Sequence, residues 1–418
     1  MSCEWRQRSE VDAVGTGGLS AAREKVRIDR DRLREWLFEQ ALPLWSTRGI
    51  DALHGGFEER LSSEGAPTHE ARRARVQPRQ LFAFVGAWRL GWQGGAEAIV
   101  AGGLNYFEHH FRRPDGLYRT LIAPDGTPLD DAVYLYDQAF VLLGLASARR
   151  LFGTEPDHER VAVALLERIV TRLRHEQGGF ETGLPERLPL QSNPHMHLLE
   201  ACLEWQQLTD APCWRVLAEE LVDLALRYFI DRDSGLLRET FAADWSAAPA
   251  LPGRLIQPGH QFEWGWLLLK ASGARQYEAR QGALQLIEGA ENCGVHRGVA
   301  IDELLDDRSV YRASARLWPQ TERLRALACA AALGAEPRYW LLAHEASQSL
   351  MRYLNATLPG LWHDEMLPDG HFRIGAAPAG NLYHIVGSIL ALDEALSAST
   401  AAQVVPPRAP PIGPAGIS

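Results

Sequence analysis

The 418-residue chain carries 43 Lys+Arg against 53 Asp+Glu, a formal charge of −10, and is 46% apolar, the balance of a globular chain. Its length allows one large domain or two ordinary ones. The acidic excess, with no basic block, excludes nucleic acid or an anionic membrane as the main partner and leaves a small molecule as the expected one.

Lysine occurs only at 25 and 270, which leaves 41 arginines. There is no GxxxxGK[ST] phosphate cradle, and Schiff-base chemistry would have to use Lys25 or Lys270. The five cysteines, Cys3, Cys202, Cys213, Cys293 and Cys329, are odd in number and include no CxxC pair. Neither a disulfide framework nor a thiolate zinc site is expected, and the chain reads as a protein of a reducing cytoplasm. No apolar run reaches 18 residues, and charges occupy the N-terminus where a signal peptide would be apolar.

In chain order, residues 1 to about 27 mix charge with Gly and Ser and are expected to stay unpacked. The body, residues 28–399, opens with an amphipathic helix over 29–44. A Gly followed by an apolar residue then recurs at Gly56, Gly116, Gly179, Gly235, Gly294 and Gly360, a period of roughly 60 that marks a repeat architecture. Two helices are predicted between markers, as in 77–92 with 96–111 and 194–206 with 212–230. A last helix covers 381–396, and the Pro-rich tail 400–418 is expected to be disordered. The first helix of each pair is the more apolar, as in the Leu81–Val85 and Trp264–Leu269 runs, and the second carries more charge. Six buried inner helices inside six amphipathic outer ones explain that asymmetry, so an all-α, (α/α)6 barrel is predicted.

Several inner helices have Pro in their first turn (Pro78, Pro194, Pro258, Pro319), where a missing N–H costs nothing. Beside each start stands a polar residue that a buried helix would ordinarily avoid: Arg79, Tyr136, His197, His260, Glu322 and His384. They recur at intervals of 57 to 63, the period of the glycine markers, and so are expected at one end of the inner ring. With helices ~8–10 Å apart, side chains from His260 and His384 would leave on the order of 6–8 Å between them, room for one sugar ring.

A single buried His is more often a satisfied core residue than a catalyst; three in register at helix starts carry the functional reading. In His195-x-His197 the side chains point ~200° apart on a helix, so no metal is expected there. His197 with Glu200, and His260 with Glu263, stand at i, i+3, which suits a carboxylate orienting an imidazole. Most tryptophans should be core; Trp318, just before Pro319, is the expected site member, and Asn193 suits either an N-cap or a ligand contact.

Histidine both takes and gives a proton near neutrality, and a helix N-terminus disfavours the imidazolium. Two imidazoles facing one cavity suit proton transfer at a carbon beside a carbonyl, with Arg79 holding the developing enediolate oxygens. Aldose–ketose isomerisation or epimerisation is the expected reaction class. The weaker expectations are a glycoside hydrolase using Glu263 and Glu322, or a sugar-binding protein without turnover.

Five motifs also carry a family likeness: Arg75-Val-Gln77-Pro-Arg79-Gln80, Asn193-Pro-His195-Met-His197-Leu-Leu-Glu200, Pro258-Gly-His260-Gln-Phe-Glu263-Trp264, Arg316-Leu-Trp318-Pro-Gln-Thr-Glu322 and Tyr383-His384-Ile-Val-Gly387. Together, over about residues 30–397, they resemble the N-acylglucosamine 2-epimerase superfamily, and most of all its mannose isomerase branch. The resemblance implies the (α/α)6 barrel and acid/base catalysis by His260 and His384 through an enediolate, with no required metal or nucleotide cofactor. It also implies that His197 assists ring opening or binds substrate and that Glu263 orients His260. Arg79, Tyr136, Asn193, Trp318 and Glu322 would contact sugar hydroxyls. The expected substrate is a monosaccharide, D-mannose exchanging with D-fructose and by extension D-lyxose with D-xylulose, or else a 2-epimerase substrate. A monomer or homodimer is expected. Residues 185–190 and 242–255 are expected as loops over the pocket.

Overall fold

The computed structural model describes residues 16–404 apart from Ser272 and Ala335. Of the segments expected to be disordered, 1–27 and 400–418, residues 1–15 and 405–418 lie outside the described residues, and 400–404 belong to the last helix. The chain folds into six inner helices, α2 (Val76–Arg89), α4 (Leu135–Phe152), α6 (Ser192–Gln206), α8 (Pro258–Lys270), α10 (Leu317–Ala332) and α12 (Asn381–Val404). Between them in sequence stand the outer helices α3 (Ala96–Phe111), α5 (His158–Arg172), α7 (Pro212–Leu224), α9 (Gln276–Gly294) and α11 (Arg338–Leu354). Helix α1 (Thr16–Trp36), continued by a π-turn at Leu37–Ala41 and a last turn at Leu42–Trp45, is the sixth outer helix. Each inner helix packs on its two inner neighbours, and α12 on α2, so the inner ring is closed; α1 fills the gap between α11 and α12. This is the (α/α)6 barrel.

The expected boundary near residue 28 is corrected. Among the described residues helix α1 already covers Thr16–Trp36, with Ala22 and Val26 buried. Gly and Ser at its start masked an apolar stripe whose partner, the α11–α12 seam, lies more than 300 residues away.

The two ends of the barrel differ. Inner helices hand over to outer ones through short turns, while outer helices return through long loops to the inner N-termini. Six antiparallel ladders stitch those long loops to one another. They pair Arg72–Arg73 with Leu121–Ile122, Val133–Tyr134 with Gly183–Leu184, and Leu190–Gln191 with Thr240–Phe241. The other three pair Leu255–Ile256 with Glu303–Leu305, Ala315–Arg316 with Glu365–Met366, and Arg60–Leu61 with Ala377–Pro378. The loops therefore form a closed collar around one mouth.

The glycine repeat has a physical cause. Gly56, Gly116, Gly179, Gly235, Gly298 and Gly360 all take left-handed φ values of 69° to 87° at the tight turn of a loop, a region that costs other L-residues ~1–2 kcal/mol. The fifth marker is thus Gly298; Gly294, the sequence-based choice, ends α9 in an ordinary conformation. One or two residues past the turn, the backbone is clasped by a side chain from the next inner helix. The Gln77, Gln138, Gln261 and Gln320 amides accept from and donate to the backbone of Phe57, Tyr118, Leu237 and Ala300, at 2.8–3.0 Å. In the third repeat His195 fills that slot, its Nε2 accepting the Phe180 N–H at 2.9 Å.

Candidate active site

Aligning the repeats on this Gln/His clasp corrects the register of the six polar positions. The truly equivalent residues, two beyond the clasp, are Arg79, Phe140, His197, Glu263, Glu322 and, by the repeat period, His384. Tyr136 and His260 stand one helical turn nearer the mouth, as do Asn193 and Trp318 relative to His197 and Glu322. The site consequently has a buried floor and a more open rim.

On the floor, His384 Nδ1 lies 2.8 Å from Glu322 Oε1, and the indole N–H of Trp266 donates to Glu322 Oε2 at 2.9 Å. His197 Nδ1 lies 3.3 Å from Glu200 Oε2, which also accepts from the Tyr383 hydroxyl. Arg325 donates to Glu200 Oε1 at 3.2 Å and lies 3.6 Å over the Trp266 ring. Glu263 reaches to 3.8 Å from His197, and its Oε1 is buried without a partner. Arg79 donates to the Tyr136 hydroxyl at 2.5 Å and lies 4.2 Å over Phe140, beside His197.

At the rim, His260 Nδ1 lies 2.7 Å from Glu239 Oε2. The Trp318 indole touches both His260 and His384, with ring centroids 5.0 and 5.9 Å away. Asn193 lies inside the first turn of α6, where Gln191 takes the cap position, and its Oδ1 is buried without a partner. Of the other tryptophans, Trp264 is fully buried and Trp362 stacks on Trp45 at 4.7 Å.

Two expected pairings are corrected. Glu263 does not orient His260: the carboxylate on that imidazole is Glu239, from the loop before α8, while Glu263 sits deeper, facing His197. Glu322 has both oxygens engaged by His384 and Trp266, so it holds an imidazole rather than a free hydroxyl-binding position. Sequence reasoning missed Glu239, Arg325 and Trp266. Arg325 carried a signal, a guanidinium three residues past Glu322 on a largely apolar inner helix.

Burial sets the charge state of the floor. It pushes the His197 imidazole down to about 4 against the pull of Glu200, and drives His384 well below its ordinary value with the Arg79 charge adding to the effect. Both are neutral at pH 7. Burial alone would raise Glu200, but the hydrogen bond from His197 and the Arg325 charge hold it at about 2. Glu263 is raised well above its ordinary range by burial and by the charges of Glu322 and Glu200; Glu322 rises to about 7 by burial, against Arg325. Such a concentration of perturbed groups is expensive in a core and marks a functional site.

Donor atoms of His197, Glu200 and Glu263, and of Glu263, Glu322 and His384, come within 4.8 Å of one another. The Nδ1 atom of each of these histidines is already held by a carboxylate of its own cluster, and the Arg325 guanidinium supplies compensating positive charge. The groups left facing inward are imidazole Nε2 atoms, a guanidinium, a phenol and an indole, which suits proton transfer on a polar, uncharged molecule.

Residues 55–388 match the model of the N-acylglucosamine 2-epimerase (GlcNAc 2-epimerase) family. The chain is 42% identical over 381 residues, 89% of its length and 98% of the relative's, to a mannose-6-phosphate isomerase from Rhizobium meliloti (strain 1021). It is 23% identical over 277 residues, 63% of each chain, to an N-acylglucosamine 2-epimerase from Rattus norvegicus. A solved D-mannose isomerase superposes with a TM-score of 0.77 at 19% identity, covering 91% of this chain and 98% of that one. A cellobiose 2-epimerase from Spirochaeta thermophila gives 0.81 at 23% identity, covering 91% and 100%. The chain belongs to the N-acylglucosamine 2-epimerase family.

Proposed function

We propose that the protein interconverts D-mannose and D-fructose, and by the same chemistry D-lyxose and D-xylulose. The observation that carries this reading is the meeting of two imidazoles over one indole, each held at Nδ1 by a carboxylate so that Nε2 is free for substrate. A neutral imidazole takes the C2 proton of the opened aldose, leaving an enediolate whose oxygens Arg79 stabilises. Return of that proton to C1, with transfer of a proton from O2 to O1, gives the ketose. Delivery to the opposite face of C2 would instead give the 2-epimer, the second reading, which the epimerases among the similar proteins favour. His197 and the protonated Glu263 support ring opening from the floor; Tyr136, Asn193 and Trp318 contact hydroxyls at the rim.

The 42% identical relative is named for a phosphorylated sugar. Here Arg75 and Arg316, at the starts of α2 and α10, are each paired with a buried carboxylate, Asp137 at 3.3 Å and Asp302 at 2.9 Å. Guanidinium groups neutralised in this way are poor phosphate ligands, which favours the free sugar. Incubation of the EDTA-treated protein with mannose and with mannose 6-phosphate, followed by NMR in D2O, tests both points. Fructose from mannose supports the proposal, glucose supports the epimerase, and turnover of the phosphate ester alone overturns the free-sugar reading.

A further inference from the structure

The residue two positions past each of the five clasped backbones is polar, Glu59, Thr120, Thr182, Glu239 and Asp302, as is Asp364, four past Gly360, in the sixth repeat. Each ties its loop to the approach or first turn of the next inner helix. Glu59 accepts from the Arg73 N–H and Nε, and Asp302 from the Arg316 N–H and Nε. Thr120 donates to Asp137, Thr182 to the Pro189 carbonyl, and Asp364 accepts from Asn381. The slot is therefore a fastener of the fold. Glu239 performs the same task with one oxygen, Oε1 accepting the Gln257 N–H at 3.2 Å. Its other oxygen departs from the series. Where the second oxygen of Glu59 turns to Arg73 and that of Asp302 to the Ser314 hydroxyl, Glu239 Oε2 turns to the imidazole of His260, 2.7 Å away.

We infer that the fourth copy of this fastener has been recruited as the positioning residue of His260. A carboxylate oxygen 2.7 Å from Nδ1 accepts from it, so Nδ1–H donates to Glu239, which leaves Nε2, beside Trp318, as the ring nitrogen open to substrate. Because Oε1 is anchored to the backbone at the α8 start, the carboxylate cannot swing away, and the ring plane is fixed before substrate arrives. Glu239 touches no substrate in this scheme; it acts only through His260.

This inference rests on the isomerase reading, and its test separates the two. In the full-length protein, Glu239→Gln is expected to lower kcat by about 10- to 100-fold with KM changed less than twofold. The 15N ring signals of His260, recorded without substrate, should move from a single Nδ1–H tautomer to a mixture. Glu59→Gln, which alters the same slot in the first repeat, should leave kcat near wild type. Should Glu239→Gln melt much earlier than wild type, Glu239→Asp and the double variant with His260→Ala carry the test. The pair predicts partial rescue by Asp and no further loss of residual C2 exchange when Glu239→Gln is added to His260→Ala. Wild-type kcat in Glu239→Gln, an unchanged His260 tautomer, or an equal kcat loss in Glu59→Gln would overturn the inference. Failure of the wild-type enzyme to turn over any sugar would overturn the isomerase reading while the ring signals still decide the role of Glu239.

Discussion

The two histidine–carboxylate pairs of the site, one on its floor and one at its rim, are built from different material. His384 and Glu322 stand on neighbouring inner helices, α12 and α10, with Trp266, Arg325 and Glu200 packed behind them. His260 is held by a loop residue at the collar. The floor pair is thus part of the barrel core, where a lost charge is felt by the whole fold, whereas at the rim the bond that fastens the loop and the bond to the imidazole fall on different oxygens of Glu239. Chemistry and architecture are coupled at one imidazole and nearly separable at the other.

Substitutions can break that contrast. The largest effect is expected from His384→Ala and His260→Ala, each lowering C2 proton exchange by roughly 10²- to 10⁴-fold without loss of the folded state, as read by deuterium uptake and circular dichroism. Near-normal exchange in either variant would remove that ring from the mechanism. Next comes Glu200→Gln. It strips the ionised partner from the buried Arg325 and should cost about 3–5 kcal/mol of stability. Glu263→Gln, at a carboxyl already protonated, should cost under about 1 kcal/mol by the same denaturation measurement. Equal losses would show that the floor is not charge-paired as described.

A smaller effect separates two histidines on one helix. His195→Ala removes the acceptor from the buried Phe180 N–H and should cost about 1–3 kcal/mol. His195→Gln, which restores the side chain used in four other repeats, should recover most of that and leave kcat unchanged. Burial lowers the His195 imidazole to about 4, so the unfolded chain takes up a proton there that the folded chain refuses. Stability from this residue is full above about pH 6.5 and is lost as pH falls toward 4. The melting temperature of His195→Gln should therefore fall less steeply over that window. For activity, the low value of His384 keeps its base form down to acid pH. The acid limb of kcat/KM is expected below the ordinary imidazole value of about 6.5, and a limb well above it would assign the base elsewhere.

Much of the barrel was legible in the sequence because its repeat is local. A glycine with positive φ, an apolar inner helix and a charged outer one recur every sixty-odd residues, and each of these is a demand of backbone geometry or burial on a short segment. The one marker misplaced, Gly294 for Gly298, fell where two glycines four residues apart both precede an apolar residue, and only φ tells them apart. The candidate residues likewise came from polar groups on apolar helices.

Their partnerships were another matter. The i, i+3 spacing that suggested Glu263 for His260 describes one helix face, but the imidazole turns toward the collar, where the carboxylate twenty-one residues earlier waits. The sequence by itself determined the periodicity, the helix ring and the kinds of groups at its mouth, since these follow from nearest-neighbour propensity and hydrophobic pattern. Tertiary structure alone decided which carboxylate meets which imidazole, which histidine is a clasp and which a site residue, and that residues 16–28 join α1. Those outcomes depend on contacts between segments far apart in the chain, and a hydrogen bond a few ångströms long has no counterpart in spacing along it.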